Sequence, residues 1–216
     1  MAGAVAASLG FGVSGAGAEV LTFSGNICGG GTSCSNNEVI DDSYGDIAGQ
    51  LDVVYDRDVT VGGENRLRAY GSFYSDLTGV AYGGEGNTTG PAEIFLQPLS
   101  GFQVTLLGFD LGAWPNQTRN SQVTILNGAG QVLSPSTALT VDGQVHSHLS
   151  YNFTSADGIR IQWGPDNYDV GIDNVEFALS AVGPAGVPEP ASWALMIAGF
   201  GMAGVALRRR STVPAS

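Results

Sequence analysis

Gly171-Ile172-Asp173-Asn174-Val175-Glu176-Phe177-Ala178-Leu179 decides the fold. At a period of two, Asp173, Val175, Phe177 and Leu179 share one face, and the three apolar members mark that face as the core side. The stretch is therefore a half-buried strand with Asp173 at the start of its buried side. A carboxylate in that position needs a cation, an arginine or backbone donors, because an unpaired buried charge is costly.

Outward from this strand, similar short runs recur with turn residues between them. The pattern predicts strands at 20–23, 50–55, 66–73, 93–96, 103–109, 122–126, 131–133, 147–153, 159–163 and 172–179. Trp163 follows Ile159 and Ile161 at period two and is expected in the core. Asn127-Gly128 signals a hairpin, with two further residues that imply a longer loop or a bulge. The body shows no amphipathic helix of ten or more residues. The expected class is all-β, an antiparallel β-sandwich of jelly-roll type.

About 170 residues lie between Glu19 and Val187, enough for one domain with a single core. Lysine is absent, and three of the eight arginines are in the tail. Residues 1–207 thus carry 5 arginines (8 − 3) against 20 acids, a net charge of −15. That field repels nucleic acid, which is excluded as a partner. The two cysteines, Cys28 and Cys34, flank a glycine loop and are expected to form a disulfide in an oxidising compartment.

Asp173 has acidic neighbours. Asp166 and Asp169 lie in the 164–171 loop, and Asp42 belongs to an early cluster with Asp41, Asp46, Asp52, Asp56 and Asp58. Oxygen ligands of this kind suit calcium if the first and last strands are neighbours. The alternative is that Asp173 caps its strand by accepting backbone amides while the other carboxylates are solvated. Trp114, in a Gly-Pro-Asn loop setting, and Tyr168, between acidic residues, are expected to be exposed and could stack on sugar rings. His146 and His148 share a strand face and are read as decoration of a solvent-facing edge. Asp56 and Asp58 alternate, without the fixed separation that glycoside hydrolysis requires. No Gly-x-Ser-x-Gly motif is present, so no catalytic residue is assigned. Gly199-x-Gly201-x-x-Gly204 has dinucleotide-loop spacing but sits in an apolar run with no strand before it.

That run, residues 191–207, is uncharged. As a helix it would rise roughly 26 Å, at the short end of what spans a bilayer. Pro188-Glu189-Pro190 and Trp193 stand at its beginning, and Arg208, Arg209 and Arg210 follow it. The arginines are expected to stay cytoplasmic, leaving everything before Pro188 outside. This order of parts resembles the PEP-CTERM sorting signal, in the variant with a Trp three residues after the second proline. The resemblance implies export from a Gram-negative bacterium, recognition by an exosortase-type membrane protease, and association with extracellular polysaccharide or biofilm. Six residues follow the arginines, where such signals usually stop almost at once.

The body is also similar to a recurrent group of PEP-CTERM proteins of unassigned activity. The residues concerned are Ser43-Tyr44-Gly45-Asp46 with Leu51-Asp52-Val53-Val54-Tyr55, Gly108 to Pro115, and Ile159 to Asp166 running into Gly171 to Val175. Its closing strand is similar to that of sandwich domains that bind carbohydrate. In jelly-roll binding modules of this general type, the resemblance places a structural calcium where the terminal strands meet. Ala16-Gly17-Ala18 fits signal-peptide cleavage before Glu19, without a basic n-region; either the start lies upstream or the signal is weak. The expected organisation is a signal peptide at 1–18, the sandwich at 19–180, a linker at 181–187 and the sorting signal with its transmembrane helix at 188–210.

Overall fold

The computed structural model describes residues 17–61, 65–84 and 90–183, and the helical residues 195–198, 200 and 202. The chain divides into two compact units, Met1–Val182 and Gly183–Ser216. Twelve strands are described in the first unit: β1 (Ala18–Leu21), β2 (Glu38–Val39), β3 (Leu51–Asp56), β4 (Arg68–Tyr70), β5 (Val80–Tyr82), β6 (Ala92–Pro98), β7 (Phe102–Ala113), β8 (Arg119–Asn127), β9 (Val132–Val141), β10 (Ser147–Ser155), β11 (Ile159–Gly164) and β12 (Val170–Ala181).

They form two antiparallel sheets. One has the order β10-β7-β12-β5-β4-β2, with β1 also paired to β12; the other has the order β3-β6-β11-β8-β9. The eight strands from β5 onward fall into β10-β7-β12-β5 and β6-β11-β8-β9, the order that two interleaved Greek keys produce in a jelly roll. The remaining strands widen the two sheets. A single core joins them, with Leu51, Val53, Ile94, Leu96 and Ile161 of one sheet packed with Leu106, Phe109, Leu111, Ile172 and Phe177 of the other. Trp163 is fully buried there, and its indole N–H donates to the Val170 carbonyl at 2.9 Å. A buried side chain of that size contributes on the order of 4 kcal/mol of gross apolar transfer, an upper bound.

The closing strand differs from its simple two-residue reading. Val170 and Ile172 face the core, and so do Val175 and Phe177, so the inward phase changes between them. The change falls at a bulge, where Asn174 adopts φ +49°. β7 compensates between Leu106 and Phe109, where its inward set also changes phase. Asp173 therefore stands opposite Asp110 on the outer face of the sheet and not with Val175 and Phe177, yet it is buried.

Other expectations were exceeded or missed. β9 runs to Val141, well past the expected 131–133, and carries Pro135 without losing a ladder partner because it is an edge strand. The hairpin before it closes with Asn127 donating to the Gln131 carbonyl at 2.8 Å. The two-residue β2 and three-residue β5 were not expected, and 66–73 shortens to Arg68–Tyr70. Cleavage before Glu19 would take only Ala18 from β1. In the second unit, no helix among the described residues is long and apolar enough to cross a membrane.

Candidate functional site

The outer face of the β12-containing sheet carries a second, smaller core. Ala69 and Ala81 point inward from β4 and β5, so Tyr70, Val80 and Tyr82 point outward. The 71–79 loop between these strands folds back over the sheet. Ser75 N–H donates to the Ala113 carbonyl at 3.1 Å, and Asn116 N–H donates to the Phe73 carbonyl at 3.0 Å. Gly112 and Gly171 make room for it: a Cβ on Gly112 would lie 2.5 Å from the Tyr74 carbonyl oxygen, and one on Gly171 would lie 2.7 Å from Val80. Tyr74 is consequently buried, and its hydroxyl donates to the Tyr168 carbonyl at 2.6 Å. Burial pushes its phenol pKa upward, with the neighbouring Tyr82 adding to the effect.

The rings form a chain. Tyr70, Tyr74 and Tyr82 contact one another at centroid distances of 5.6 to 5.9 Å, Tyr168 joins Tyr82 at 6.0 Å, and Trp114 meets Tyr168 edge-on at 5.8 Å. Trp114 and Tyr168, each expected to be exposed, are instead half-buried and packed on each other. The exposed aromatic of this face, among the described residues, is Phe73, at 59%, beside the Trp114 turn and held at φ +68°. Its place in an alternating run had assigned it to a strand. The following Ser75, at φ +54°, shares the strained loop backbone.

Beside this loop, three strands place His148, Asp110 and Asp173 opposite one another in one row. Asp110 accepts from His148 Nδ1 at 2.7 Å and from Asn174 Nδ2 at 2.7 Å. His146 Nε2 lies 3.8 Å from Asp110, while its backbone N–H donates to Asp76 of the loop at 2.8 Å. The histidines do lie at the solvent-facing edge strand β10, with His148 exposed, and both also face carboxylates; His146 ties the loop to β10. A Cβ on Gly108 would approach the His148 ring at 3.2 Å, so that glycine gives the ring its seat.

Asp173 accepts the Phe23 amide at 2.8 Å, at the point where the edge of β12 changes partner from β5 to β1. The carboxylate stands in for a ladder acceptor, which is the capping alternative. Burial raises its pKa against the opposing effect of the Phe23 and Asn174 amides; Asp110 raises it further and His146 lowers it. The other residues expected to bind calcium have separate partners. Asp42 pairs with Arg66 at 3.1 Å, Asp169 with Arg119 at 2.9 Å, and Asp166 accepts the Asp169 amide at 3.4 Å. No three of Asp42, Asp166, Asp169 and Asp173 bring oxygens within 4.8 Å of one another, so these side chains form no common calcium cage. Among the described residues the one convergent set is Cys28, Cys34 and Glu38, whose cysteines are joined in a disulfide.

Fold and site together define an antiparallel sandwich with an aromatic, loop-covered outer face. The address is carried elsewhere: the PEP-CTERM protein-sorting motif matches residues 186–210, about an eighth of the chain. It begins two residues before Pro188 and marks the chain as an exported protein sorted by an exosortase-type membrane enzyme. Pro188, Glu189, Pro190, Trp193, Arg208, Arg209 and Arg210 lie outside the described residues. No curated protein matches the chain.

Proposed function

We propose that the protein is a surface or matrix component whose sandwich associates with extracellular polysaccharide, after a short C-terminal helix has held it in the inner membrane for processing. The sorting motif behind an acidic sandwich carries this reading. The described part of the tail supports the membrane step: Leu195, Ile197 and Phe200 are helical and 74%, 69% and 73% exposed, which suits a lipid environment. The binding step is supported by Phe73, an exposed ring on a strained loop next to Trp114 and Tyr168. Stacking of sugar rings on such side chains needs only their apolar faces.

A purely structural or adhesive role is the second reading, favoured by the packing of Trp114 and Tyr168 against each other and not toward solvent. No catalysis is assigned, and release of reducing ends or unsaturated products from a polymer would contradict that. The reading predicts that the purified chain is retained on the producer's own polysaccharide with a shift in tryptophan emission. Neither retention on that polymer nor on a glycan array would leave the structural role.

A further inference from the structure

The five arginines of the sandwich are unevenly paired. Arg119 binds Asp169, Arg160 binds Glu93 at 2.6 Å and Arg66 binds Asp42. Arg57 and Arg68 have no carboxylate within 4.0 Å among the described residues. In a body with 5 arginines against 19 acids (20 less Glu189), two cations without a carboxylate partner among the described residues are unexpected, and both line the same groove. It measures about 280 Å³ and is bounded, among the described residues, by Val39, Arg57, Asn65, Arg66 and Arg68.

The groove lies at the edge of the first sheet, where β2 pairs with β4 in the register Val39 to Arg68. Arg57 reaches it from the other sheet, just after β3. Each guanidinium is fixed by an uncharged group. Arg57 Nε donates to the Asn65 side-chain oxygen, and Arg68 Nη1 donates to the Asn37 carbonyl at 2.6 Å. The Arg68 stem passes over Gly84, at φ +75°, in space that a Cβ would occupy. Arg66 is held by the Ile40 carbonyl at 3.4 Å as well as by Asp42, which is largely exposed. A guanidinium has five N–H donors, so most of those on Arg57 and Arg68 have no acceptor among the described residues, and the forks are already oriented.

We infer that this groove is a binding subsite for the carboxylate of a uronic-acid unit in an extracellular polysaccharide, a deepening of the polysaccharide reading above. A planar carboxylate accepts two parallel bonds from an arginine fork, and the volume suits one sugar-sized anion. Asp42, paired with Arg66, and Asp56, which accepts from Asn65 Nδ2 at 3.4 Å, border the groove, so its pull on an anion rests on the Arg57 and Arg68 forks.

The test is retention of the purified full chain on immobilised polygalacturonate, polyglutamate and dextran. Polygalacturonate should retain it, weakening as salt is raised, and Arg57→Gln/Arg68→Gln should weaken retention about tenfold, with dextran unaffected. Arg57→Lys/Arg68→Lys keeps the charge without the fork and should still lose several-fold; it carries the test if the glutamine pair melts early. Equal retention of wild type and the lysine pair on polygalacturonate would overturn the inference. So would equal, arginine-dependent retention on polyglutamate, since the sugar would then contribute nothing. Binding to the producer's polymer that depends on Phe73 but not on either arginine would overturn this inference while leaving the polysaccharide reading in place.

Discussion

Asp173 shows how far a single residue can be read. Period-two spacing assigns it to the core face and its charge calls for compensation; it is buried, but on the outer face of the sheet. The side of the sheet on which it lies does not follow, because Asn174 adopts a left-handed backbone that shifts the inward phase of β12. The native carboxyl holds its proton more tightly than the ordinary value of 3.8, mainly through burial. It therefore favours folding below pH 3.8, and that contribution is lost as pH rises through the native pKa. Asp173→Asn keeps an acceptor for the Phe23 amide and removes the charge. It should melt above the wild type at neutral pH, with the gap closing below pH 3.8; a lower melting temperature at neutral pH would show that the charge itself holds β1. Phe73 makes the opposite trade. Phe73→Gly relieves its φ of +68° and should stabilise the fold by about 1 kcal/mol in a denaturant titration, while lowering retention on the producer's polysaccharide. A variant both less stable and fully retained would place the ring in a structural role.

At the scale of elements, strands with clear alternation were legible and short or edge strands were not. β2 and β5 have two and three residues, too few for a period to register. β9 is largely exposed and contains a proline, so its edge position, which only the sheet order reveals, allows it to be a strand. The 71–79 loop was hidden for a related reason: its aromatic residues continue the alternation of β4, whereas Gly112 and Gly171, distant in sequence, let it lie on the sheet. Gly112→Ala tests that arrangement. The new Cβ would meet the Tyr74 carbonyl at 2.5 Å, a backbone atom with little room to move, so the variant should lose about 2 kcal/mol with altered Trp114 fluorescence. An unchanged melting curve and spectrum would mean the loop does not rest on β7.

For the molecule as a whole, the sandwich class and the address were legible, because strand alternation and the ordered PEP, Trp, apolar and arginine parts each rest on local sequence. The aromatic face and the arginine groove were not, since each collects residues from elements distant in the chain. The proposed anchor would set the acidic, lysine-free sandwich and the three arginines that follow the apolar 191–207 run on opposite sides of a membrane. Fractionation of the producing bacterium with and without its exosortase, followed by mass determination of the chain, is the most direct test. The account predicts a C-terminally shortened protein at the surface or in the matrix, and a longer form retained in the inner membrane when the protease is missing. Full-length protein dissolved in the cytosol of both strains, untrimmed at either terminus, would contradict it.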